Sequence, residues 1–248
     1  MRYIFEKPLK EAIIIKRNSQ FTIDVEINGE IVRCHCPTTG RIGDLELSGI
    51  ACLISENNNL KRKLKYTVEA VSCDELEKME KKWIGINQIL SNKLVEYFIS
   101  NNLLNDMIEK GKDIKREVKL GLSKLDFLVG NTYIEVKTPL TTLNVEYGKH
   151  VRTKPLTPFS STERFTKHIK ELANSLNKNE RAILLTVNQY ETAKEKERQR
   201  STNYEEVKSA VEYAIDKGVE MWHMEMEFLK DGVRLVSCTN KTARNQEE

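Results

Sequence analysis

The chain has 248 residues, of which 39% are hydrophobic and 31% charged, a composition typical of a globular protein with room for two domains. Its net charge of +3 is too small to indicate a nucleic-acid or membrane-surface partner by itself. Five cysteines without a secretory signal argue against a disulfide framework, and the longest early apolar run, residues 13–15, is too short for a signal-peptide core. We therefore expect a cytoplasmic protein with no membrane segment.

The first third of the chain has the pattern of short β-strands. Apolar and polar residues alternate, and Asn28-Gly29 is a strong hairpin turn. The predicted strands are residues 21–27, 31–36, 51–55 and 66–71. Strands this short and closely spaced favour a small barrel or a sandwich. Charged residues 74–82 then predict a short helix.

From residue 91 onward, helical and strand-like patterns alternate. An amphipathic helix is followed by three strands, and Ser160 and Glu163 then have capping-box spacing before a second helix. A strand, a helix that ends at Gly218 and a last strand complete the order αβββαβαβ. The predicted strands are residues 114–120, 124–129, 132–137, 181–187 and 219–228. The predicted division is a barrel-like domain in residues 1–84, an α/β domain in residues 85–238 and a disordered tail in residues 239–248.

Two of these strands form a predicted hairpin around Gly130-Asn131. A two-residue loop places Asp126 directly opposite Glu135, and Lys137 then points to the same face. The opposite face carries an apolar set, namely Leu125, Phe127, Val129, Ile134 and Val136. This arrangement predicts that the hairpin packs one face on a helix and presents two acids and a lysine on the other.

Two carboxylates opposite one another repel, and a hairpin that needed only stability would rarely carry them. A divalent cation such as Mg²⁺ or Mn²⁺ would relieve the repulsion between Asp126 and Glu135. Lys137 would then stabilise negative charge or hold the attacking water. The alternative is an exposed sheet face on which Lys137 only neutralises one acid. The opposed Asp126, the apolar back face and the element order favour a metal-dependent nuclease site.

Basic residues are clustered in three places, although the net charge is small. The clusters lie in residues 61–65, 110–119 and 149–154. Solvated loops and helix faces would explain any one of them. Three clusters in a nearly neutral chain indicate local positive surface, which suits binding to a nucleic-acid backbone.

Five segments together resemble the sugar fermentation stimulation protein A (SfsA) family. They are HCPTTG at residues 35–40, RKLKYTVE at 62–69, REVKLGLSKLDFLV at 116–129, IEVKT at 134–138 and TERFTKHIKEL at 162–172. The resemblance implies α/β structure with two parts: an N-terminal OB-fold-like β-barrel and a C-terminal restriction-endonuclease-like domain of the PD-(D/E)xK type. It also implies DNA binding, with nuclease activity inferred from the fold. The chain departs from the family pattern at Thr38, where asparagine is expected, and at Phe165, where glycine is common.

The resemblance implies roles for particular residues. Asp126 and Glu135 match the metal-binding acids and Lys137 matches the lysine of the motif, with the Val136 carbonyl as a further metal ligand. A further acid often lies on the first helix of such domains. Glu96 lies on that helix here and could be that catalytic and metal-binding acid, or it could be a surface glutamate; Glu117, just before the hairpin, is its rival.

Nucleic-acid contacts are expected from the barrel and from the later helix. Arg164, His168 and Glu171 share a stripe on that helix, and the alternative for this stripe is a solvated polar face. The candidate contact residues are Arg17, Lys61, Arg62, Lys63, Arg164, Lys167 and His168.

We therefore expect a largely sequence-independent DNA-binding protein with a Mg²⁺- or Mn²⁺-dependent phosphodiesterase site. RNA remains open as the target. One alternative is a non-catalytic DNA-binding or regulatory protein, linked to sugar metabolism, that keeps the nuclease fold. Another is a barrel that binds oligosaccharide or protein, which the basic clusters make less favourable.

Overall fold

The computed structural model describes residues 1–57, 62–121, 123–155, 157, 162–176, 181–193 and 200–242. Its elements are β1 (Arg2–Ile4), β2 (Lys10–Arg17), β3 (Thr22–Ile27), β4 (Glu30–His35), β5 (Ala51–Glu56), β6 (Tyr66–Val71), β7 (Ile84–Gly85), α1 (Gln88–Ser100), β8 (Ile114–Leu120), β9 (Ser123–Val129), β10 (Thr132–Lys137), α2 (Glu163–Ser175), β11 (Arg181–Asn188), α3 (Tyr204–Asp216), β12 (Glu220–Phe228) and β13 (Gly232–Asn240).

The N-terminal strands close into a five-stranded barrel. The sheet order is β4-β3-β2-β5-β6-β7, and β4 also pairs with β6, which joins β2 to β6 in a ring. The turn between β3 and β4 has positive φ at Asn28 and at Gly29, as a type I′ hairpin turn requires. Buried apolar side chains such as Ile14, Ile23 and Val68 fill the interior. Of the two architectures predicted for this region, the barrel is confirmed, and it is OB-like.

The C-terminal sheet has seven strands in the order β1-β13-β12-β11-β10-β9-β8. Strands β10, β11 and β12 are parallel, and the remaining pairings are antiparallel. Helix α1 and part of the barrel cover one face, whereas α2 and α3 cover the other. The predicted order αβββαβαβ is confirmed from α1 to β12. Within the described residues, no helix is long and apolar enough to cross a membrane.

The ends of the chain differ from the predicted division. Strand β1 pairs with β13 and so belongs to the C-terminal sheet, although residues 1–84 were assigned to the barrel domain. Thr239 and Asn240, assigned to the tail, lie in β13 and pair with β12. Pairing satisfies the backbone groups of both segments, which a local pattern cannot reveal. Residues 243–248 lie outside the described part of the chain.

The predicted helix in residues 74–82 is wrong. This segment forms turns and bends, in which the Asp74 carboxylate accepts hydrogen bonds from Lys78 Nζ at 2.8 Å and from Lys82 N at 2.6 Å. Leu76 and Met79, the two large apolar residues of the segment, are exposed. Charged residues with high helix propensity gave a helical pattern, but no apolar face packs on the core to stabilise a helix.

Candidate functional site

The hairpin of β9 and β10 has the predicted register. Phe127 pairs with Ile134, and the turn places Gly130 at a φ of 56°, a left-handed conformation that glycine adopts without strain. Just beyond this pair, the Val136 N–H donates to Asp126 Oδ2 at 2.8 Å. The carboxylates of Asp126 and Glu135 therefore lie close together where the pairing ends.

The faces of β9 differ from the prediction at Leu125. The other four residues of the predicted apolar set pack in the core under α1, but Leu125 packs in the core under α2 and α3. On the neighbouring strand, Glu117 lies between the residues that pair with Phe127 and Leu125, and its φ is 53°. A left-handed conformation is uncommon for a residue other than glycine and marks a local irregularity of the strand. The regular pleat assumed from the sequence therefore breaks beside Asp126.

Helix α1 contacts Asp126 through Asn92. The Asn92 Nδ2 donates to Asp126 Oδ1 at 2.8 Å. Glu96, one turn further along α1, lies 3.3 Å from the guanidinium of Arg116, and its rival Glu117 pairs with Lys124 at 2.5 Å. Glu96 and Glu117, the two candidates for a further metal-binding acid, are thus both paired with basic side chains of the sheet. Asn92 lies four residues before Glu96 on the same side of α1. The sequence pattern singled out acidic residues on this helix, so the amide of Asn92 was not predicted.

Keeping both Asp126 and Glu135 ionised is electrostatically unfavourable without added positive charge. Burial, and secondly the charge of Glu135, raise the pKa of Asp126, whereas the Val136 N–H, Asn92 and Lys137 act in the opposite direction. A raised pKa means that ionising Asp126 beside a second carboxylate costs free energy.

Glu135 carries the clearest sign of a missing partner. The residue is 2% exposed, and Oε1 lies 2.5 Å from Lys137 Nζ and 2.6 Å from His168 Nδ1. In the part of the chain that the structure describes, Oε2 is buried and accepts no hydrogen bond. Burying an acceptor without a partner is costly, and a hard cation would satisfy it. The residues present therefore fit Mg²⁺ or Mn²⁺.

A cation here would need further ligands besides Asp126 and Glu135. Among the described residues, no group of three or more His, Cys, Asp and Glu side chains could hold a metal. Mg²⁺ usually takes one or two carboxylates and keeps several waters, so backbone carbonyls such as that of Val136 and water can complete the set.

Helix α2 brings the predicted contact residues to a cavity beside the acids. His168 is buried against Glu135, while Arg164 and Lys167 are exposed. The cavity has a volume of about 440 Å³ and is lined by Ser123, Lys124, Glu163, Arg164, Lys167 and His168. Glu171, the last member of the predicted stripe, is half-buried beside Gly121. Ser123 was missed because a serine that opens a strand gives no distinct sequence signal.

The predicted basic residues of the barrel fall into different settings. The Arg17 guanidinium donates to four backbone carbonyls, those of Ser19, Gln20, Thr38 and Gly40. Arg17 therefore holds the HCPTTG segment in place. Arg62 and Lys63 are exposed, and Arg62 lines a cleft between the barrel and α1. Lys61 lies outside the described residues.

Two family models match the chain along most of its length. The model described as the SfsA N-terminal OB domain matches residues 15–86, and the one described as the sugar fermentation stimulation protein RE domain matches residues 89–232. The two matches meet between β7 and α1, where the barrel ends and the α/β domain begins.

Individual proteins give the same result. A sugar fermentation stimulation protein homolog of Prochlorococcus marinus subsp. pastoris is 37% identical over 184 residues, which are 69% of this chain and 71% of that relative. Another from a Synechococcus species is 29% identical over 243 residues, 94% of this chain and 92% of the relative. The structure of Pyrococcus furiosus SfsA in complex with Ca²⁺ matches 96% of this chain and 97% of that chain, with a TM-score of 0.72 and 22% identity.

Proposed function

This chain belongs to the sugar fermentation stimulation protein A family, and from that premise we propose that it binds DNA and carries a Mg²⁺- or Mn²⁺-dependent phosphodiesterase site on the β9–β10 hairpin. The observation that carries the proposal is the buried Oε2 of Glu135, which has no hydrogen-bond partner in the described part of the chain and lies beside a second carboxylate. Structural acids are rarely left in this state.

The surrounding side chains orient the two acids in advance. Asn92 and the Val136 N–H hold Asp126, while Lys137 and His168 hold one oxygen of Glu135. Fixing ligands through such neighbours sharpens both metal affinity and geometry. The open oxygen of Glu135 is then the atom that remains for a cation.

Lys137 supplies the positive charge of the site. Its side chain is 29% exposed, so the ammonium group can reach a phosphate in solvent while it remains 2.5 Å from Glu135. Donation from Lys137 to a phosphate oxygen or to the attacking water would stabilise the charge that develops in the transition state. A bound divalent cation supplies Lewis-acid polarisation of the phosphate and lowers the pKa of water. The Pyrococcus furiosus relative was solved with Ca²⁺, a cation that also takes oxygen ligands.

Nucleic-acid binding is supported by basic side chains on both parts of the chain. Arg62 and Lys63 are exposed on the barrel, and Lys124, Arg164 and Lys167 line the cavity beside the acids. Contacts of this kind read the phosphate backbone, so we expect affinity that falls with salt and depends little on sequence.

Cleavage assays test the proposal directly. Labelled single-stranded, duplex and branched DNA and RNA are incubated with Mg²⁺ or Mn²⁺ and wild type, Asp126→Ala or Lys137→Ala. Both substitutions should lower the cleavage rate by about 10²–10³-fold, the scale of losing one transition-state stabiliser, while binding persists. Lys208→Ala, which removes an exposed lysine of α3, is the matched control.

Other outcomes point to other functions. A wild-type protein that binds every substrate but cuts none would be a non-catalytic DNA-binding protein that keeps the nuclease fold. Cleavage by Asp126→Ala at the wild-type rate would remove the hairpin as the catalytic site.

A further inference from the structure

The cavity between the start of β9 and the first turns of α2 is built like an anion site. It lies beside the carboxylate pair, and the imidazole of His168 separates the two. His168 Nδ1 contacts Glu135 Oε1 at 2.6 Å, and the same buried side chain lines the cavity. One ring nitrogen of His168 is therefore committed to the acid of the proposed metal site, while the same imidazole lines the cavity.

Ser123 contributes a buried hydroxyl that lacks a partner. The residue is 7% exposed and lines the cavity, and its Oγ makes no hydrogen bond to any part of the chain that the structure describes. A serine hydroxyl is both a donor and an acceptor, and leaving it unsatisfied costs free energy. An oxygen-rich ligand in the cavity would accept the hydrogen bond.

The first two turns of α2 line the same cavity with the side chains of Glu163, Arg164 and Lys167. Thr162 occupies the N-cap position but makes no side-chain capping bond, because its hydroxyl is bonded to Asn203 Oδ1 at 2.6 Å. The Thr162 side chain therefore does not cap the first N–H groups of α2. These groups and the helix dipole favour an anion.

The charges of the lining agree with this preference. Of the six lining residues, three are cationic, namely Lys124, Arg164 and Lys167, and one, Glu163, is acidic. Lys124 also pairs with Glu117 at 2.5 Å, so part of its charge is balanced outside the cavity. Arginine and lysine next to a hydroxyl and a helix N-terminus form a set of donors suited to phosphate oxygens.

We propose that this cavity is a second phosphate subsite, which holds a nucleic-acid phosphate other than the one being cleaved. The inference rests on the proposed function and specifies how the substrate strand is positioned beside Asp126 and Glu135. The phosphate is either a terminal monoester or a backbone diester next to the scissile one. Both present anionic non-bridging phosphate oxygens to Ser123 and Arg164.

Binding without cleavage separates this inference from the question of turnover. Fluorescence anisotropy would measure the affinity of the full-length Asp126→Ala protein for four single strands of equal length: 5′-phosphorylated, 3′-phosphorylated, with hydroxyl ends, and circular. Ser123→Ala and Arg164→Ala are then added separately to this background. Lys170→Ala is the matched control, since Lys170 is an exposed residue of α2 that does not line the cavity.

Loss of one hydrogen bond to a charged group corresponds to about tenfold in affinity. If the subsite takes a terminal phosphate, one phosphorylated strand binds about tenfold more tightly than the hydroxyl strand, and both Ser123→Ala and Arg164→Ala abolish that preference. If it takes a backbone phosphate, both variants weaken all four strands by about tenfold, the circular one included. Thermal unfolding of each variant confirms that the fold is intact.

Two results would overturn the subsite. One is that Ser123→Ala and Arg164→Ala bind every strand as the Lys170→Ala control does. The other is that only Arg164→Ala weakens binding, which a general surface charge would explain. A protein that passes this test but never cuts DNA would retain the phosphate subsite and lose the proposed catalytic activity.

Discussion

Two glutamates, one in the barrel and one in the hairpin, are buried to a similar degree but are treated differently by their surroundings. Glu69 of β6 is 8% exposed, and each of its oxygens accepts a hydrogen bond, from Ser55 Oγ at 2.5 Å and from Asn87 Nδ2 at 2.7 Å. Glu135 of β10 is 2% exposed, and within the described residues its Oε2 accepts none.

The difference separates a structural acid from the acid that we propose as a metal ligand. Glu69 holds Asn87, whose own Oδ1 caps α1 by accepting from two backbone N–H groups. This contact ties the barrel to the first helix of the α/β domain. Glu135 is held through one oxygen only and lies beside Asp126, whose charge it opposes. Burial alone therefore does not distinguish the two acids, whereas incomplete hydrogen bonding beside a like charge does, and that feature is the one on which the proposed metal site rests.

The largest effect expected from this contrast is that a bound metal ion stabilises the folded protein through Glu135 and not through Glu69. Mg²⁺ at about one hundred times its Kd should raise the free energy of unfolding of the wild type by about 2.7 kcal/mol. Glu135→Gln should lose this gain because the open carboxylate oxygen is its source, and Glu69→Gln should keep it. Urea unfolding with and without Mg²⁺ measures both. Equal stabilisation of wild type and Glu135→Gln would exclude Glu135 as a ligand.

A smaller effect is expected from removing the structural acid. Glu69→Ala leaves the Asn87 amide and the Ser55 hydroxyl without their acceptor, which should lower the free energy of unfolding by about 1–3 kcal/mol. Urea unfolding in the absence of metal measures it, and Glu30→Ala, an exposed glutamate of β4, is the control. The structural role assigned to Glu69 fails if both variants are as stable as the wild type.

The smallest effect is a pH dependence that belongs to Glu69. Burial raises the pKa of Glu69 above its ordinary value of 4.5, although Ser55 and Asn87 oppose the shift. The folded state then holds the proton more tightly than the unfolded state, so this contribution to stability is present below the unfolded pKa and is lost as pH rises through the folded pKa. Glu69→Gln should lack this loss as the pH rises above 4.5. Superimposable curves of unfolding free energy against pH for the two proteins would contradict the shift.

Much of the candidate site could be predicted because its signals are local. Gly130-Asn131 selects a two-residue turn, and the turn sets which residues of β9 and β10 pair. Asp126, Glu135 and Lys137 follow from that register. Leu125 could not be placed in the same way, because the pleat that the register assumes breaks beside Asp126, close to the left-handed Glu117 on the neighbouring strand. The signal for that break does not lie in the hairpin sequence.

In the barrel, too, local features could be predicted from the sequence, whereas contacts between distant residues could not. The Asn28-Gly29 turn and the alternating strands around it predict the hairpin of β3 and β4. Arg17, a predicted nucleic-acid contact, donates to four carbonyls, because the fold brings residues 38 and 40 next to it. The charge of a side chain can be read from the sequence, but the groups that it contacts in the folded protein cannot.

Turn chemistry and hydrophobic periodicity are local properties, and they were enough for the element order from α1 to β12 and for the hairpin register up to Phe127 and Ile134. Tertiary structure alone decided which side chains meet Asp126 and Glu135. Asn92 reaches Asp126 from 34 residues away, and His168 reaches Glu135 from 33 residues away. Strand β1 likewise finds β13 at the opposite end of the chain. Contacts between distant residues depend on how whole elements pack, and no short window of sequence carries that information.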